Sequence, residues 1–291
     1  MDRILFGDNQ FFGVNHMSEE KARQQAIRFQ DMDEIMRVLE AARDLGAGGF
    51  MCTTHDRIAE VADRMRADPA AWAGFNMYPG MPYAHKYANA VTELGYFDAL
   101  RKFLPKDGLV DTVLRGSKAI ATQDMSAIIG LLIDAEMKMF HGLKTPVIFL
   151  QNVVTDLVIG LRAVDALAAF AKHVQKKYGA EPGFITMNVP KLLPLLDEAD
   201  VKRPIVCANV NKIGFRMSGG IDGYRNAAEQ YAPRMVAMSI FASGAIPPRE
   251  AIEWVLDEPY VQSIVFGASS RTNIEDTIGL IRGKQQQRAA A

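Results

Sequence analysis

One stretch, residues 251–277, decides the fold, and its sequence is AIEWVLDEPYVQSIVFGASSRTNIEDT. The spacing of apolar residues in and around it predicts a helix over 248–256, a short buried strand over 264–266 and a second helix over 273–281. A strand that is apolar on both faces and lies between two helices is typical of a parallel sheet covered on both sides. The stretch therefore predicts an α/β fold in which strands and helices alternate.

The same alternation extends through the rest of the chain towards the N-terminus. We predict eight strands, over 4–7, 49–52, 75–78, 147–150, 184–187, 205–208, 235–238 and 264–266. Predicted helices lie over 32–45, 56–65, 161–178, 191–198, 223–231, 248–256 and 273–281, and Gly46 ends the first of them. Eight such units in 291 residues indicate an α/β protein of the (β/α)8 TIM-barrel class. An open doubly wound sheet is the alternative architecture.

The interval between strands three and four is longer than the others. Pro79 and Gly80 are expected to close strand three, and residues 80–144 then hold helical segments near 83–103 and 126–140 without a clear strand. We interpret 80–144 as a helical insertion after strand 3 that covers one side of the barrel mouth, because barrel enzymes build specificity in such loops.

Composition and charge exclude several classes of function. Hydrophobic residues make up 49% of the chain, charged residues make up 23%, and the net charge is −1. We therefore expect a small-molecule substrate and no binding to nucleic acid or membrane. Two cysteines, Cys52 and Cys207, are too few for a disulfide framework, and the first residues lack an apolar signal core, so we expect a cytoplasmic protein. Without a linker in the series, we expect one domain over 1–291, with a frayed tail at 284–291, and homo-oligomerisation stays open.

Polar side chains follow almost every predicted strand. In a barrel the carboxyl ends of the strands meet at one mouth, where catalysis takes place. Buried amides cost free energy unless they are paired, so many of them at one rim indicate a polar ligand rich in hydroxyl or carbonyl groups. The alternative is that several of them cap helices and hold loops. The candidates for substrate binding are Asn9, Gln10, Tyr83, Lys86, Gln151, Asn152, Asn188, Asn209, Asn211 and Arg216.

Four residues are candidates for catalysis: Asp8, His16, His55 and Lys212. Asp8, at the end of strand one, could transfer protons, and both histidines titrate near neutral pH. Lys212 could form a Schiff base with a carbonyl compound if it is desolvated, and the alternative is a rim lysine paired with a carboxylate or phosphate. On the insertion, Glu136 could reach the mouth, although a solvated helix face is the simpler interpretation. No spaced metal-ligand motif such as HExxH or CxxC is present, so we expect no metal.

The loop after strand eight is the most specific local signal. It reads Phe266-Gly267-Ala268-Ser269-Ser270-Arg271-Thr272-Asn273. A glycine lets the backbone approach a ligand, and hydroxyls and a guanidinium then stand at a helix N-terminus, which favours anions. We predict that Gly267, Ser269, Ser270 and Arg271 bind an anion or the anionic part of a cofactor. The alternative is an ordinary helix cap.

The last third of the chain resembles the aldo-keto reductase superfamily, through the helix–strand–helix of residues 251–277. The resemblance implies a barrel over nearly the whole chain. It also implies that Ser269, Ser270 and Arg271 grip the adenosine phosphate of a nicotinamide cofactor, and that Asn188 holds the nicotinamide amide.

The catalytic half of the sequence departs from that family. The family's aspartate at the end of strand two falls in Cys52-Thr53-Thr54, and its tyrosine acid has no counterpart in residues 54–57. Its strand-three lysine falls near Tyr78, and its strand-four histidine falls near Gln151. Asn209 takes the place of the family's strand-six glutamine. The resemblance therefore implies the barrel and an anion site, without the reduction chemistry, and the cofactor stays unknown.

Three functions are compatible with these observations. The leading hypothesis is a diverged aldo-keto-reductase-like TIM-barrel enzyme that acts on a small polar carbonyl, sugar-like or phosphorylated compound, by Schiff-base or acid–base chemistry of the lyase or isomerase type. The second is an NAD(P)H-dependent oxidoreductase with replacement acids such as His55 or Tyr83. The third is a non-catalytic barrel that binds a ligand.

Overall fold

The eight predicted strands are present and close into a parallel barrel. The computed structural model describes residues 1–13, 18–83 and 125–290, without the side chains of residues 21, 125–127 and 287–290. The strands pair in sequence order, and the last pairs with the first, so the architecture is a (β/α)8 barrel and not an open sheet. The strands are β1 (Ile4–Gly7), β2 (Gly49–Cys52), β3 (Asn76–Met81), β4 (Val147–Leu150), β5 (Glu181–Thr186), β6 (Ile205–Asn209), β7 (Arg234–Met238) and β8 (Val261–Phe266).

Helices follow the strands on the outside of the barrel, and local caps fix several of their ends. For example, the helix over Met32–Leu45 begins where the Asp31 carboxylate accepts a hydrogen bond from the Asp33 N–H at 2.9 Å, and it ends at Gly46, whose φ is 102°. The helices are α1 (Glu19–Arg28), α2 (Met32–Leu45), α3 (Asp56–Ala67), α4 (Met125–Met137), α5 (Asn152–Gly160), α6 (Val164–Tyr178), α7 (Val189–Glu198), α8 (Gly220–Tyr231), α9 (Pro248–Asp257) and α10 (Arg271–Ala290).

Strand β3 differs from its prediction, because Pro79 and Gly80 do not end it. Pro79 lies opposite Cys52 in the β2–β3 pairing, and the strand continues to Met81. Gly80 belongs to the crowded barrel wall, where an added Cβ would lie 3.2 Å from the side chain of Ile185. The glycine therefore marks close packing inside the barrel and not a turn.

Three helices also differ from their predictions. The helix predicted for 161–178 corresponds to α6, whereas α1 and α5 were not predicted. Helix α10 continues through 284–290, for which we expected a frayed tail. In the insertion, α4 corresponds to the helix predicted near 126–140, whereas the helix predicted near 83–103 lies outside the described residues. Nowhere in the described ranges is a helix both long and apolar enough to span a bilayer.

Apolar side chains fill the barrel and also separate it from the helices. Burial of this apolar surface is the main force that stabilises the fold. The largest apolar cluster, with Phe6, Phe50 and Phe184 among its members, lies between the strands and the outer helices. A smaller cluster fills the inside of the barrel and consists of Leu5, Met51, Tyr78, Val147, Phe149, Ile205, Cys207, Val236 and Val265.

The amino ends of the strands are closed by a polar network around Asp2. Its carboxylate accepts hydrogen bonds from the Asn76 amide at 2.7 Å and from the Tyr78 hydroxyl at 2.5 Å. The Ser263 hydroxyl donates to the Asp2 carbonyl oxygen at 2.8 Å. Burial and the Asp2 carboxylate raise the pKa of Tyr78, so its hydroxyl stays protonated. This network joins the chain just before β1 to β3 and β8 at the amino ends of the strands. Ligands of such barrels bind at the opposite end, where the strands have their carboxyl ends.

We predict that Gly49→Ala destabilises the fold by about 1–3 kcal/mol, the usual cost of overpacking a core. An added Cβ would lie 2.5 Å from the carbonyl oxygen of Asn76 and 2.6 Å from the Tyr78 ring. The control is Gly279→Ala in α10, where an added Cβ has no neighbour within 4 Å in the described structure. It should stabilise the protein by about 0.5–1 kcal/mol. Urea unfolding measures both free energies, and equal effects would contradict the packing inside the barrel.

Candidate active site at the barrel mouth

Asp8 lies where the ends of β1 and β2 meet, and its carboxyl group is buried. Its Oδ2 accepts hydrogen bonds from the Thr53 backbone N–H at 2.7 Å and from the Thr53 hydroxyl at 2.8 Å. Burial raises the pKa of Asp8, and the Thr53 hydrogen bonds only partly oppose this rise. Because both Thr53 bonds fall on Oδ2, Oδ1 is the oxygen that Thr53 leaves open to a proton.

Glu136 brings a second carboxylate to the neighbouring corner, between the ends of β2 and β3. It accepts a hydrogen bond from the Thr54 hydroxyl at 2.5 Å, and the Tyr83 N–H lies 3.1 and 3.2 Å from its two oxygens. Its side chain is only 3% exposed. The interpretation of Glu136 as part of a solvated helix face is therefore wrong, since α4 turns this residue inwards. Two consecutive threonines, Thr53 and Thr54, thus each hold one buried carboxyl group.

Three rings form an aromatic wall beside these carboxyl groups. The centroid of the His55 ring lies 4.6 Å from that of Phe12 and 5.8 Å from that of Tyr83. His55 also caps α3, because its Nδ1 accepts a hydrogen bond from the Arg57 N–H at 3.1 Å. Burial and the nearby charge of Asp8 raise the pKa of Tyr83. Among the predicted site residues, Asp8, His55 and Tyr83 are therefore brought together.

Gln10 joins the end of β1 to the loop after β8. Its amide nitrogen donates to the Gly7 carbonyl at 2.7 Å, and its side chain is 4% exposed. A Cβ on Gly267 would lie 2.2 Å from Gln10 Oε1, so glycine at 267 is what admits this side chain. Asn9, the neighbouring candidate, is exposed. Gln10 is thus packed at the junction of the two strands.

The loop after β8 brings the predicted anion-binding residues to the N-terminus of α10, a helix of 20 residues. The Ser270 hydroxyl accepts a hydrogen bond from the Asn273 N–H at 3.3 Å, and Arg271 is exposed. Arg28 adds a positive charge here, because it donates to the Ser269 carbonyl at 2.6 Å while pairing with Glu34 at 2.9 Å. The sequence did not reveal Arg28, since α1 itself was not predicted.

The amides on the far side of the mouth hold the loops that carry them. Asn188 caps α7 by accepting a hydrogen bond from the Lys191 N–H at 3.3 Å. Asn209 donates to the Met187 sulfur at 2.9 Å and to the Arg216 carbonyl at 3.0 Å. Gln151 is buried at the N-cap of α5, and Asn152 is the first residue of that helix. Asn188 and Asn209 therefore lie at the mouth and also hold local structure, through the α7 cap and the loop after β6.

Lys212, in the loop after β6, does not have the desolvated position that a Schiff-base lysine would need. Its ammonium group pairs with Glu250 at 2.7 Å, and 45% of its side chain is exposed. This geometry is that of the rim lysine and not of a desolvated Schiff-base lysine. Asn211 is buried and closes its own loop through two hydrogen bonds with the Phe215 backbone, at 2.7 and 2.9 Å. The guanidinium of Arg216 lies over the Phe215 ring at 5.3 Å.

Asp156 is a further buried acid, on α5 near the end of β5. Its Oδ1 accepts a hydrogen bond from the Thr186 hydroxyl at 2.5 Å, and its Oδ2 accepts one from the Met187 N–H at 3.2 Å. Burial raises the pKa of Asp156, although these bonds oppose the rise. Because both oxygens are held, Asp156 differs from Asp8, whose Thr53 bonds share one oxygen.

Two predicted residues, His16 and Lys86, lie outside the described residues. Over 1–13, 18–83 and 125–290, no three His, Cys, Asp or Glu side chains are placed so that they could hold a metal ion. Within the described ranges, the acids and candidate proton donors that we place at the mouth include Asp8, His55, Tyr83 and Glu136 on one side and Asp156 on the other.

The closed parallel barrel of eight strands is a fold that solved aldo-keto reductases share. No protein-family model matches the sequence, and no curated protein matches it. Among solved structures, the chain is similar to PA4992, a proposed aldo-keto reductase from Pseudomonas aeruginosa, with 15% identity and a TM-score of 0.59 over 97% of this chain and 91% of that one.

Two further solved structures support the same fold. An aldose reductase from Giardia lamblia is 10% identical, with a TM-score of 0.56 over 97% of this chain and 87% of that one. A Gox0644 variant in complex with NADPH is 10% identical, with a TM-score of 0.53 over 98% of this chain and 88% of that one. The distant resemblance inferred from the sequence is confirmed at the level of the fold.

We predict that Asp8→Asn stabilises the protein at neutral pH. A raised folded-state pKa means that ionisation of Asp8 disfavours folding, so this residue's contribution to stability is lost as the pH rises through the folded-state pKa. An asparagine oxygen can still accept both Thr53 bonds without carrying a charge. In urea unfolding between pH 4 and pH 8, chosen to start near the ordinary Asp pKa of about 3.9, the gain of D8N over wild type should grow with pH.

The control for this measurement is Asp222→Asn, at a side chain that is 92% exposed. It should show the pH dependence of the wild type. If D8N also followed the wild-type pH dependence, the buried, protonatable state of Asp8 would be disproved.

Proposed function

We propose that this protein is an aldo-keto-reductase-like barrel enzyme that transfers protons on a small polar carbonyl compound bearing an anionic group. The observation that carries the proposal is the buried carboxyl group of Asp8, fixed through one oxygen by Thr53 at 2.7 and 2.8 Å. A carboxyl group whose pKa is raised by burial keeps its proton to a higher pH than an ordinary aspartate, which suits it to acid–base catalysis. Asp8 would therefore be the acid–base residue.

The position of the anion site relative to Asp8 supports this assignment. Phe6 lies opposite Phe266 in the β1–β8 pairing, so Asp8 and Gly267 follow neighbouring strands. Neighbouring strands lie about 4.8 Å apart, a separation that one small molecule can bridge. The N-terminus of α10, with Ser269, Ser270 and Arg271, would hold the anionic group while Asp8 acts on the carbonyl end.

The aromatic wall supplies groups for the carbonyl oxygen. Since burial and Asp8 raise the pKa of Tyr83, its hydroxyl stays protonated at neutral pH and can donate a hydrogen bond. His55 lies in the same wall and caps α3 through Nδ1, which fixes the position of its ring beside Tyr83. Lys212 has no part in this proposal, because its ammonium group already pairs with Glu250.

The test is exchange of carbon-bound hydrogen with solvent. In D2O, the protein should introduce deuterium next to the carbonyl of dihydroxyacetone phosphate or a related anionic hydroxycarbonyl compound, followed by NMR. Asp8→Asn should lower the exchange rate by about 10²–10⁴-fold, the usual contribution of a general acid–base group. Thr53→Val, which removes one of the two bonds to Oδ2, should give a smaller loss.

Asp222→Asn serves again as the control, because the Asp222 carboxylate is exposed on the surface. This variant should exchange substrate hydrogen at the wild-type rate. Exchange that survives Asp8→Asn unchanged would rule out Asp8 as the acid–base residue. A wild-type protein that exchanges no member of a panel of phosphorylated and carboxylated hydroxycarbonyl compounds would rule out the reaction class.

A nicotinamide-dependent oxidoreductase is the second candidate, because the Gox0644 variant of similar fold is in complex with NADPH. The residues present fit the adenosine phosphate end of such a cofactor through Ser269, Ser270 and Arg271. They fit the nicotinamide end through Asn188, whose cap uses the amide oxygen and leaves its nitrogen to donate. A bound nicotinamide would supply a hydride, and Tyr83 would be placed to hold the proton.

Titration with NADPH distinguishes this candidate. Binding should raise cofactor fluorescence and stabilise the protein thermally at micromolar cofactor, and Arg271→Met should weaken NADPH binding more than NADH binding, since NADH lacks the extra phosphate. Arg249→Met is the control, because this arginine is 75% exposed on α9. No response at millimolar NADPH would eliminate the second candidate and leave the first in place.

A further inference from the structure

Gln10 carries a buried acceptor oxygen for which the described part of the chain offers no donor. Its Oε1 has no hydrogen-bond partner there, although the side chain is only 4% exposed. The amide cannot simply be reversed, because Nε2 donates to the Gly7 carbonyl at 2.7 Å and a flip would set two carbonyl oxygens against each other. A buried acceptor left unpaired loses its hydration without compensation, so it calls for a donor, which a bound water or a ligand can supply.

The location of this oxygen connects it to the anion site. Oε1 points at Gly267, where an added Cβ would lie 2.2 Å away. Gly267 is exposed and opens the loop that leads into α10, and Ser270 caps that helix three residues later. An oxygen that needs a donor therefore lies next to a helix N-terminus that favours an anion. Glycine at position 267 leaves the space next to this oxygen free of a side chain.

We propose that Gln10 is a specificity-determining residue of this site, whose Oε1 accepts a hydrogen bond from a ligand hydroxyl next to the anionic group. The site then selects hydroxylated phosphate monoesters over esters that lack the hydroxyl. This inference rests on the anion site of the proposed function. A polyhydroxylated substrate phosphate and the phosphoribose of a nicotinamide cofactor share this chemistry, and binding measurements separate them.

The probes are glycerol 3-phosphate, propyl phosphate and adenosine 2′-monophosphate, with affinities measured by calorimetry on the full chain. Wild type should bind glycerol 3-phosphate at least about tenfold more tightly than propyl phosphate, because a site built around a hydroxyl rejects the analogue without it. Gln10→Leu removes the acceptor, so affinity for glycerol 3-phosphate should fall to that for propyl phosphate. Gln10→Met keeps a side chain of similar length but lacks the amide oxygen, so it should lose the preference as Gln10→Leu does.

Arg271→Met is the matched variant for the anion, and it should weaken both esters by the same factor. Equal wild-type affinities for the two esters, as expected if Oε1 binds only water, would overturn the role of Gln10 and leave the anion site standing. A preference that persists in Gln10→Leu would also overturn it. Failure of wild type to bind either ester would overturn the anion site and this inference together. Tighter binding of adenosine 2′-monophosphate than of glycerol 3-phosphate would assign the hydroxyl to a cofactor, and the reverse order to a substrate.

Discussion

The pairing of β1 with β8 is the contact on which the candidate site depends. Ile4 and Phe6 lie opposite Ile264 and Phe266, and the Ile264 N–H donates to the Arg3 carbonyl at 2.9 Å. In an open sheet the first and last strands would be separate edges with unpaired backbone groups. Closure makes them neighbours, so residues from the two ends of the chain share one corner of the mouth.

Closure also gives the mouth two unlike halves. Around β8, β1 and β2 lie a helix N-terminus that favours anions and the carboxyl group of Asp8, whose two Thr53 bonds share one oxygen. Around β5 and β6, three amide side chains form hydrogen bonds with the backbone of nearby loop or helix residues, namely Asn188, Asn209 and Asn211. Asp156 belongs to that half as well, and both of its oxygens are held. The second half is therefore a scaffold, and the chemistry is best sought in the first.

The sequence predicts the barrel well because each strand is a short apolar run that only a doubly covered parallel sheet can bury. It fails where a local signal is weak or is overridden by packing. Helix α1 has the sequence EEKARQQAIR, which lacks an apolar stripe, and α5, NVVTDLVIG, is apolar on nearly every face, so neither shows helical periodicity. Gly80 signals a turn, but the barrel wall uses it for close packing.

The sequence likewise predicts which residues lie at the rim of the barrel, because they follow the strands. It does not predict what each of these side chains binds. Asn211 and Lys212 stand after a strand just as Asp8 does. What separates them is the partner, which is the Phe215 backbone for Asn211, Glu250 for Lys212 and Thr53 for Asp8. These partners lie on loops and helices whose approach depends on the closed barrel. A single sequence without a structure contains no signal for them.

The Asp8–Thr53 pair differs from the arrangement that the resemblance to the aldo-keto reductases implies. The resemblance implies a carboxylate at the end of strand two, where this chain has Cys52-Thr53-Thr54. Here the carboxyl group comes from the end of β1 and reaches the same corner by accepting two hydrogen bonds from Thr53. The strand-three position that the resemblance assigns to a lysine is near Tyr78, which points to Asp2 at the opposite end of the barrel. Burial is the largest cause of the raised pKa of Asp8, and this direction is the one that the proposed acid–base role requires.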